Sequence, residues 1–477
     1  MNAECLADLQ RIAEEVATAN LCPSISWGVV ADGALAHHGA VGALDDGAAP
    51  TARTVYRIAS MTKSFTAAAV LALRDEGVWS LDDAVQQHAP ELAAVVGPPG
   101  SAPITLRQLL SMTSGLATDD AWADRHLDIA PHEIDRIYAG GPTFAHLPNA
   151  AYEYSNLGYA MIGRAVERAT GLRVQQHIVD RFLGPLALHD STWVQPTHDN
   201  WARPYRTQDE QIIRDTPDPV GDGDMAPMGG LWTTVADLAT WVSWLDSANT
   251  APAATDAIGL STASRREMQR IQTYIGVRTI AGRTCPAGYG FGLNVRDDPT
   301  LGTIVAHAGG LPGYGSNMRW FAGRGVGVVT LSNTFYAPMS DLTMRLMAAL
   351  HEHGAVPTAP TCVAPEWETA AKRLVDLLNH WDDAVATDLF EDNVALDESF
   401  ERRRQQATAL VAAHGRLQVG ATRPASAANG DFDVSGDNGN GNDNGNGNGT
   451  DNDRVFRIYM ELSPFPGAPV SAYTVHQ

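Results

Sequence analysis

The sequence predicts an α+β fold: an antiparallel sheet flanked by helices and interrupted by a helical insertion, followed by a small α+β domain. Three observations carry that expectation. Strand-like runs occur near the start and again from about residue 288, with helices and long loops between them. A Pro-rich connector runs from 356 to 365. A second, shorter pattern of helices and then strands fills 366–477. The expected organisation is therefore a main domain over 1–355, a linker over 356–365 and an accessory domain over 366–477.

Taken in order, residues 3–20 place apolar positions at helical spacing and predict an amphipathic helix. Two β-rich runs, 24–31 and 34–42, are joined by Asp32-Gly33, a hairpin signal. Val55 to Ala59 is strand-like, and an almost wholly apolar helix is expected from Ser60 to about Arg74. Gly and Pro punctuate 80–230, and a further helix is expected over 234–246. Strands are expected over Tyr289–Val295, Thr303–His307, Ser316–Phe321 and Val326–Ser332, with Ala322-Gly323-Arg324-Gly325 turning the last pair into a hairpin. A helix from Met339 to Glu352 ends the domain. In the accessory region, helices are expected over 367–390 and 398–414 and strands over 416–422, 430–434, 455–462 and 470–475. Residues 436–453 are almost entirely Gly, Asn and Asp. They can bury too little apolar surface to offset the entropy of ordering, so a disordered insertion between strands is expected.

The chain has 477 residues and a formal net charge of −22. A surface of that sign repels phosphate backbones and argues against nucleic-acid binding. Of the 33 basic residues only Lys63 and Lys372 are lysine. No run approaches the length of a transmembrane helix, and the first residues lack a basic start and an apolar core, so no membrane span, no signal peptide and a cytoplasmic location are expected. Cys5, Cys22, Cys285 and Cys362 are far apart, which favours free buried thiols over a zinc site or a disulfide framework. His351-Glu352-His353 reads as a solvated helix end, and no cofactor or metal is expected.

Chemistry concentrates in three places. In Ser60-Met61-Thr62-Lys63, Ser and Lys stand at i and i+3, on one helix face. The helix start offers free N–H groups and the positive end of the dipole. The residues after Lys63 are apolar on nearly all sides, so the lysine is expected to be buried, to lose proton affinity and to be able to accept the serine proton. In Tyr154-Ser155-Asn156, residues i and i+2 project to one side of extended backbone. A phenol beside a lysine is expected to have a lowered pKa and to relay protons, and the Asn amide to hold a substrate carbonyl and bond the lysine. In His307-Ala308-Gly309-Gly310, a strand ending in two glycines lets a substrate lie close to the backbone.

The order and spacing of these three motifs resemble the serine β-lactamase and penicillin-binding-protein family, in its class C, DD-peptidase and esterase branch: S-x-x-K, then Y-x-N, then [KH]-x-G on a late strand. Ser60 and Tyr154 are 94 residues apart and Tyr154 and His307 are 153 apart. Leu109 to Leu116, Met228 to Thr234 with Asp237-Leu238, and Gly313-Tyr314-Gly315 share the family's texture, and the resemblance covers roughly 5–352. It implies a β-lactamase-like fold, with Ser60 the acyl-forming nucleophile, Lys63 its activating partner and Tyr154 the proton shuttle. It also implies that Asn156, His307 and Gly309 bind substrate, and that the backbone N–H groups of Ser60 and Gly310 form the oxyanion hole.

Two departures bear on substrate. His307 stands where many β-lactamases have Lys, and Ala308 where they have a hydroxyl; both usual residues help hold a substrate carboxylate. Together with the expected location, this points to an esterase or to a D-amino-acid amidase or peptidase acting on small esters, amides or short peptides. A DD-carboxypeptidase or β-lactamase ranks lower, and a catalytically silent penicillin-recognising or scaffold protein is the rival from another class.

Overall fold

Asp32 and Gly33 both take positive φ, 51° and 80°, the backbone that a tight two-residue hairpin turn requires. They join β1 (Ser24–Ala31) to β2 (Ala34–Gly42). The partners of this hairpin come from far along the chain: β3 (Thr273–Ile280), β4 (Arg283–Tyr289), β5 (Asn294–Asp298), β6 (Gly302–Leu311), β7 (Tyr314–Phe321) and β8 (Val326–Ser332). The eight strands form one antiparallel sheet in the order β2-β1-β8-β7-β6-β5-β4-β3. Thus β1 pairs with the last strand, Ile25 opposite Ser332 and Val30 opposite Gly327. These relations come from a computed structural model that describes residues 1–215, 221–250, 258–358, 365–437, 455–465, 467 and 469–476. The chain divides into two compact units, Met1–Thr358 and Ala359–Gln477.

Both faces of the sheet are covered. On one face lie α1 (Ala3–Ala19) and a terminal helix (Met339–Glu352), packing Leu9, Ile12 and Leu346 on Ile25, Trp27 and Val328. On the other lies α4 (Val235–Thr250), packed on β1, β7 and β8; α2 (Thr62–Asp75) and α3 (Asn156–Thr170) extend the same core, which includes Met318, Trp320, Val329 and Leu331, with Phe65 of α2 stacked on Trp241 of α4. Every residue of β7 and β8 is buried; β8 accordingly reads as an apolar and small run without alternation, whereas β7 buries Asn317 and Arg319, which bond Ser340 and Thr343 of the terminal helix. The terminal helix is numbered α5 below.

Several elements differ from expectation. The late strands begin at Thr273, earlier than 288; Gly276, Pro286 and Gly288 disguise the β3–β4 hairpin, and Gly276 sits at its register shift. The run 289–295 is two strands, because Gly290-Phe291-Gly292 turns the chain, with Gly290 N–H donating to the Leu293 carbonyl at 2.7 Å. The insertion also carries a hairpin, Tyr205–Gln208 with Gln211–Arg214.

In the second unit, four helices, α6 (Pro365–Asn379), α7 (Asp383–Leu389), α8 (Asp392–Asp397) and α9 (Phe400–His414), replace the two expected. The first expected helix stops because the Asp382 carboxylate accepts from the N–H groups of Ala384 and Val385, capping a new one. The strands β9 (Leu417–Pro424), β10 (Asn429–Gly436), β11 (Val455–Leu462) and β12 (Val470–His476) follow as an antiparallel sheet in sequence order. Alternate residues of β10 and β11 are buried, so one face carries this unit's core of Trp367, Leu374, Phe432 and Ile458.

Cys5, Cys22 and Cys285 are free and buried. Cys362, linker residues 359–364 and residues 438–453 of the Gly/Asn/Asp-rich stretch lie outside the described residues. Among the described residues no helix is long and apolar enough to cross a membrane.

Candidate active site

The helix carrying Lys63 is buried at every position from Thr62 to Leu73. Its polar side chains all find partners. Thr62 Oγ1 donates to the Ala59 carbonyl at 2.7 Å, and Thr66 Oγ1 to the Pro227 carbonyl at 2.7 Å. Ser60 lies just before the helix in a short 3₁₀ turn, Ala59–Met61, and Ala59 takes φ 51°, a left-handed backbone that is uncommon for alanine. The turn presents Ser60, half-buried, to a cavity of about 360 Å³ that Asp120, Asp124, Tyr154, His307, Gly310 and Tyr336 also line.

Lys63 Nζ lies 3.0 Å from Ser60 Oγ, 2.7 Å from Asn156 Oδ1 and 2.8 Å from the Met228 carbonyl. Two of these partners can only accept. The Asn156 amide is oriented by its other end, since Nδ2 donates to Asp120 Oδ1 at 2.7 Å and to Asp119 Oδ1 at 3.1 Å. Asp119 in turn takes the N–H groups of Asn156 and Leu157, both at 2.8 Å, at the positive end of α3. A neutral Lys63 therefore spends its two N–H donors on Asn156 and Met228 and turns its lone pair to the Ser60 hydroxyl. Burial lowers the Lys63 pKa to about 8, against the opposing pull of Asp120, Asp124 and Asp119.

Ser155 is extended, φ −132° and ψ 123°, and its side chain caps α3 by accepting from Gly158 N–H. That turns Tyr154 and Asn156 to one side. Tyr154 lines the cavity together with Ser60, and Lys63 Nζ stands 4.8 Å from the Tyr154 ring centroid. The expectation of a lowered Tyr154 pKa is reversed. Burial, with Asp120 and the neighbouring tyrosines 152 and 159 adding to it, raises the phenol well above its ordinary value. Tyr154 is a neutral phenol, and of the two groups only Lys63 has its unprotonated form populated near pH 8.

His307 is buried, and its Nδ1 lies 2.6 Å from the Ala308 carbonyl. A carbonyl cannot donate, so Nδ1 carries the proton and Nε2 accepts from the Tyr289 hydroxyl at 3.0 Å. Burial, reinforced by Lys63, lowers the His307 pKa to about 3, so the imidazole is neutral. Gly309 faces Ser316 across β6 and β7. A Cβ on Gly309 would stand 2.2 Å from the Ile58 carbonyl and 2.3 Å from Ser316 Oγ, whose hydroxyl donates to that same carbonyl at 2.7 Å. The glycine lets the strand lie against the segment leading into Ser60. Gly309→Ala is accordingly expected to cost about 1–3 kcal/mol of stability and, by displacing the strand from Ser60, about a hundredfold in turnover. Thermal unfolding and activity assays on the purified variant check both; wild-type values in both would show that the close approach is unimportant.

All the residues singled out in the sequence, Ser60, Lys63, Tyr154, Asn156, His307, Gly309 and Gly310, meet around this cavity or directly behind it. A family model described as Beta-lactamase matches residues 9–352. The chain belongs to the Beta-lactamase family. Among curated relatives, Protein flp of Staphylococcus aureus (strain MW2) is 28% identical over 315 residues, covering 64% of this chain and 58% of that protein. Esterase EstB of Burkholderia gladioli is 29% identical over 332 residues, covering 62% of this chain and 82% of the esterase. The chain thus spans under two thirds of the length of the first of these relatives. The fold is similar to that of the octameric penicillin-binding protein homologue from Pyrococcus abyssi, with TM-score 0.61, 18% identity and 96% of each chain covered. It is also similar to that of a D-stereospecific amidohydrolase from Streptomyces sp., with TM-score 0.55, 23% identity, and 71% of this chain and 97% of that one covered.

Beside the motif residues of this Beta-lactamase family member stand several that sequence reasoning passed over: Asp119 and Asp120, the Met228 carbonyl, Tyr289, Asp124 and Tyr336. Asp119 follows the Leu109–Leu116 segment closely, but two acidic residues carry no signal in a chain this acidic. A backbone acceptor has no sequence signal at all. Among the described residues, no group of three or more His, Cys, Asp or Glu side chains is placed to hold a metal ion.

Proposed function

We propose that this protein is a serine hydrolase that forms a covalent acyl-enzyme on Ser60 and acts on small esters or amides, as an esterase or a D-amino-acid amidase or peptidase. The observation that carries the reading is the Ser60–Lys63 contact at 3.0 Å, in which the two other lysine partners are acceptors that leave only the serine hydroxyl for the amine lone pair.

In this mechanism Ser60 Oγ bonds the carbonyl carbon while its proton passes to Lys63 Nζ, and the carbonyl π pair moves onto oxygen beside the backbone N–H groups of Ser60 and Gly310. Collapse expels the alcohol or amine. The leaving group takes a proton from the Tyr154 hydroxyl as Tyr154 takes one from Lys63. Water then adds to the acyl-enzyme, its proton travelling the same route in reverse, and the acid departs as Ser60 regains its hydrogen. A neutral phenol suits a relay of this kind, because it donates and accepts in one step.

The charge of the cavity favours an ester or amine-bearing substrate over a carboxylate-bearing one. Asp120 and Asp124 line it, His307 is neutral, and no Arg or Lys is among its lining residues. DD-carboxypeptidase and β-lactamase activities, on carboxylate-bearing substrates, therefore rank lower in this reading. The curated relative named an esterase is consistent with this order. One panel decides between the classes: short p-nitrophenyl esters, D-alanyl amides, a D-Ala-D-Ala peptide and nitrocefin, alongside fluorophosphonate labelling followed by intact-mass analysis. Label on Ser60 with turnover of esters or D-amides is the expected result. No label on Ser60 under any condition would favour the silent scaffold, and preferential turnover of nitrocefin would move the protein to the β-lactamases.

A further inference from the structure

The segment 333–338, between β8 and α5, is fixed at its backbone: Phe335 N–H donates to the Tyr205 carbonyl at 2.8 Å and Tyr336 N–H to the Tyr314 carbonyl at 3.2 Å. It carries two aromatic residues that the catalytic scheme above does not use. Tyr336 takes φ 49°, a left-handed backbone that a bulky residue adopts only where its surroundings impose it. Its ring lies against Gly310, so that a Cβ there would stand 2.5 Å from Tyr336 Cδ1. Its hydroxyl donates to the carboxylate of Asp124, a buried side chain just past the short helix Asp120–Ala123 of the helical insertion. The next pair repeats the contact, with the Arg125 guanidinium 5.9 Å from the Phe335 ring centroid. Two consecutive residues on each side therefore meet, 124 with 336 and 125 with 335, and join the helical insertion to the end of the sheet. Tyr336, Asp124, Gly310 and Ser60 all line the same cavity.

Phe335 and Tyr336 remain 40% and 47% exposed. A pair of large aromatics left half in water, with one of them strained, is a poor device for stabilising the fold. It is well placed to bound a substrate. The Gly310 backbone is where the proposed oxyanion sits, so a substrate group passing over Gly310 meets the Tyr336 ring. We propose that Tyr336, tethered to Asp124, is the specificity-determining residue of this pocket: a bridge from the insertion to the sheet that limits the bulk of the substrate group lying over Gly310. This rests on the hydrolase reading above.

The test measures kcat and KM of the full-length protein for p-nitrophenyl acetate, butyrate and octanoate, and for ethyl against naphthyl acetate, in wild type, Tyr336→Phe, Tyr336→Ala and Asp124→Ala. Tyr336→Ala is expected to raise kcat/KM for the bulky member relative to the small one by roughly tenfold or more in at least one series. The series that shifts locates the bridge on the acyl or the leaving-group side. Tyr336→Phe keeps the ring and loses the tether, so a smaller shift is expected, mainly in KM. Asp124→Ala also removes a charge that acts on Lys63, so the comparison is made in the selectivity ratio, where both substrates share that effect: there it should match Tyr336→Phe, and the double variant should add little. A selectivity ratio within about twofold of wild type in both series for Tyr336→Ala, while a fluorophosphonate still labels Ser60, overturns this inference and leaves the hydrolase intact. Failure of wild type to label on Ser60 overturns the hydrolase reading and this inference with it. Should Tyr336→Ala misfold, Tyr336→Phe and Asp124→Ala decide, and unchanged ratios in both overturn it.

Discussion

Ser60→Ala is expected to abolish turnover of every substrate while leaving the melting temperature unchanged. The hydroxyl is the only covalent partner in the scheme, and loss of a nucleophile typically costs a thousandfold or more. The fold does not depend on it. Ser60 is half-buried in a turn, and the helix behind it is held by the Thr62, Thr66 and Ser64 hydroxyls and by Phe65 stacked on Trp241 at 3.8 Å. Lys63 keeps its Asn156 and Met228 partners when the serine oxygen is gone. The measurement is kcat on the best ester found, with thermal unfolding and intact mass after a fluorophosphonate. A folded Ser60→Ala protein that retains near-normal activity, or that still takes up the label, would remove Ser60 from its place.

Lys63→Arg should be nearly as damaging as Lys63→Ala. A guanidinium holds its proton at any working pH and cannot take one from Ser60, so the conservation of charge does not help. In the wild type the requirement for a neutral amine sets a pH profile. Lys63 has a folded pKa of about 8, so kcat/KM should climb as pH rises toward 8 and level off above it, with about a tenth of the lysines neutral at pH 7. His307 contributes no limb above its value of about 3. Stability should move the other way on mutation. A fully buried cation with a depressed pKa costs folding energy, so Lys63→Met should melt at or above the wild-type temperature while losing catalysis. For the same reason wild-type stability should rise with pH between about 8 and the unfolded lysine value near 10.4, where the unfolded chain binds the extra proton. A pH-independent rate between 6 and 9, or substantial turnover by Lys63→Arg, would reduce Lys63 to electrostatic support.

Much of this arrangement was legible because the relevant forces are local. Asp32-Gly33 announces its hairpin through the backbone it must adopt. Met339–Glu352 and Val455–Leu462 coincide with the expected boundaries, because each presents one clean period between turn residues. The SxxK and YxN spacings were readable because helix and strand geometry fix which side chains share a side. Elements went unread where sequence period and environment disagree. The strands of the β3–β4 hairpin contain two glycines, Gly276 and Gly288, and a proline, tolerated because Pro286 lies just outside the pairing of β4 with β5. Tyr154 shows the same limit in its chemistry. A lysine neighbour argues for a lowered pKa, but enclosure among Tyr152, Tyr159 and Tyr289 outweighs it, and nothing at positions 150–160 reveals that Tyr289 packs there. Tyr336 and Asp124 are 212 residues apart, and no local pattern connects them.

The pairing of β1 with β8 has a consequence for how the protein is made. A two-stranded hairpin is marginal in water by itself, and the partner edge of β1–β2 arrives only when residues 326–332 leave the ribosome. Until then the N-terminal hairpin and the apolar helix beginning at Thr62 wait with hydrophobic surface uncovered, and the loop to be closed spans nearly the whole domain. Such long-range closure makes folding slow and exposes the nascent chain to association with its neighbours. The sheet is completed only by its last strand, and any polypeptide stopped before Ser332 lacks the strand that fastens its beginning to its end.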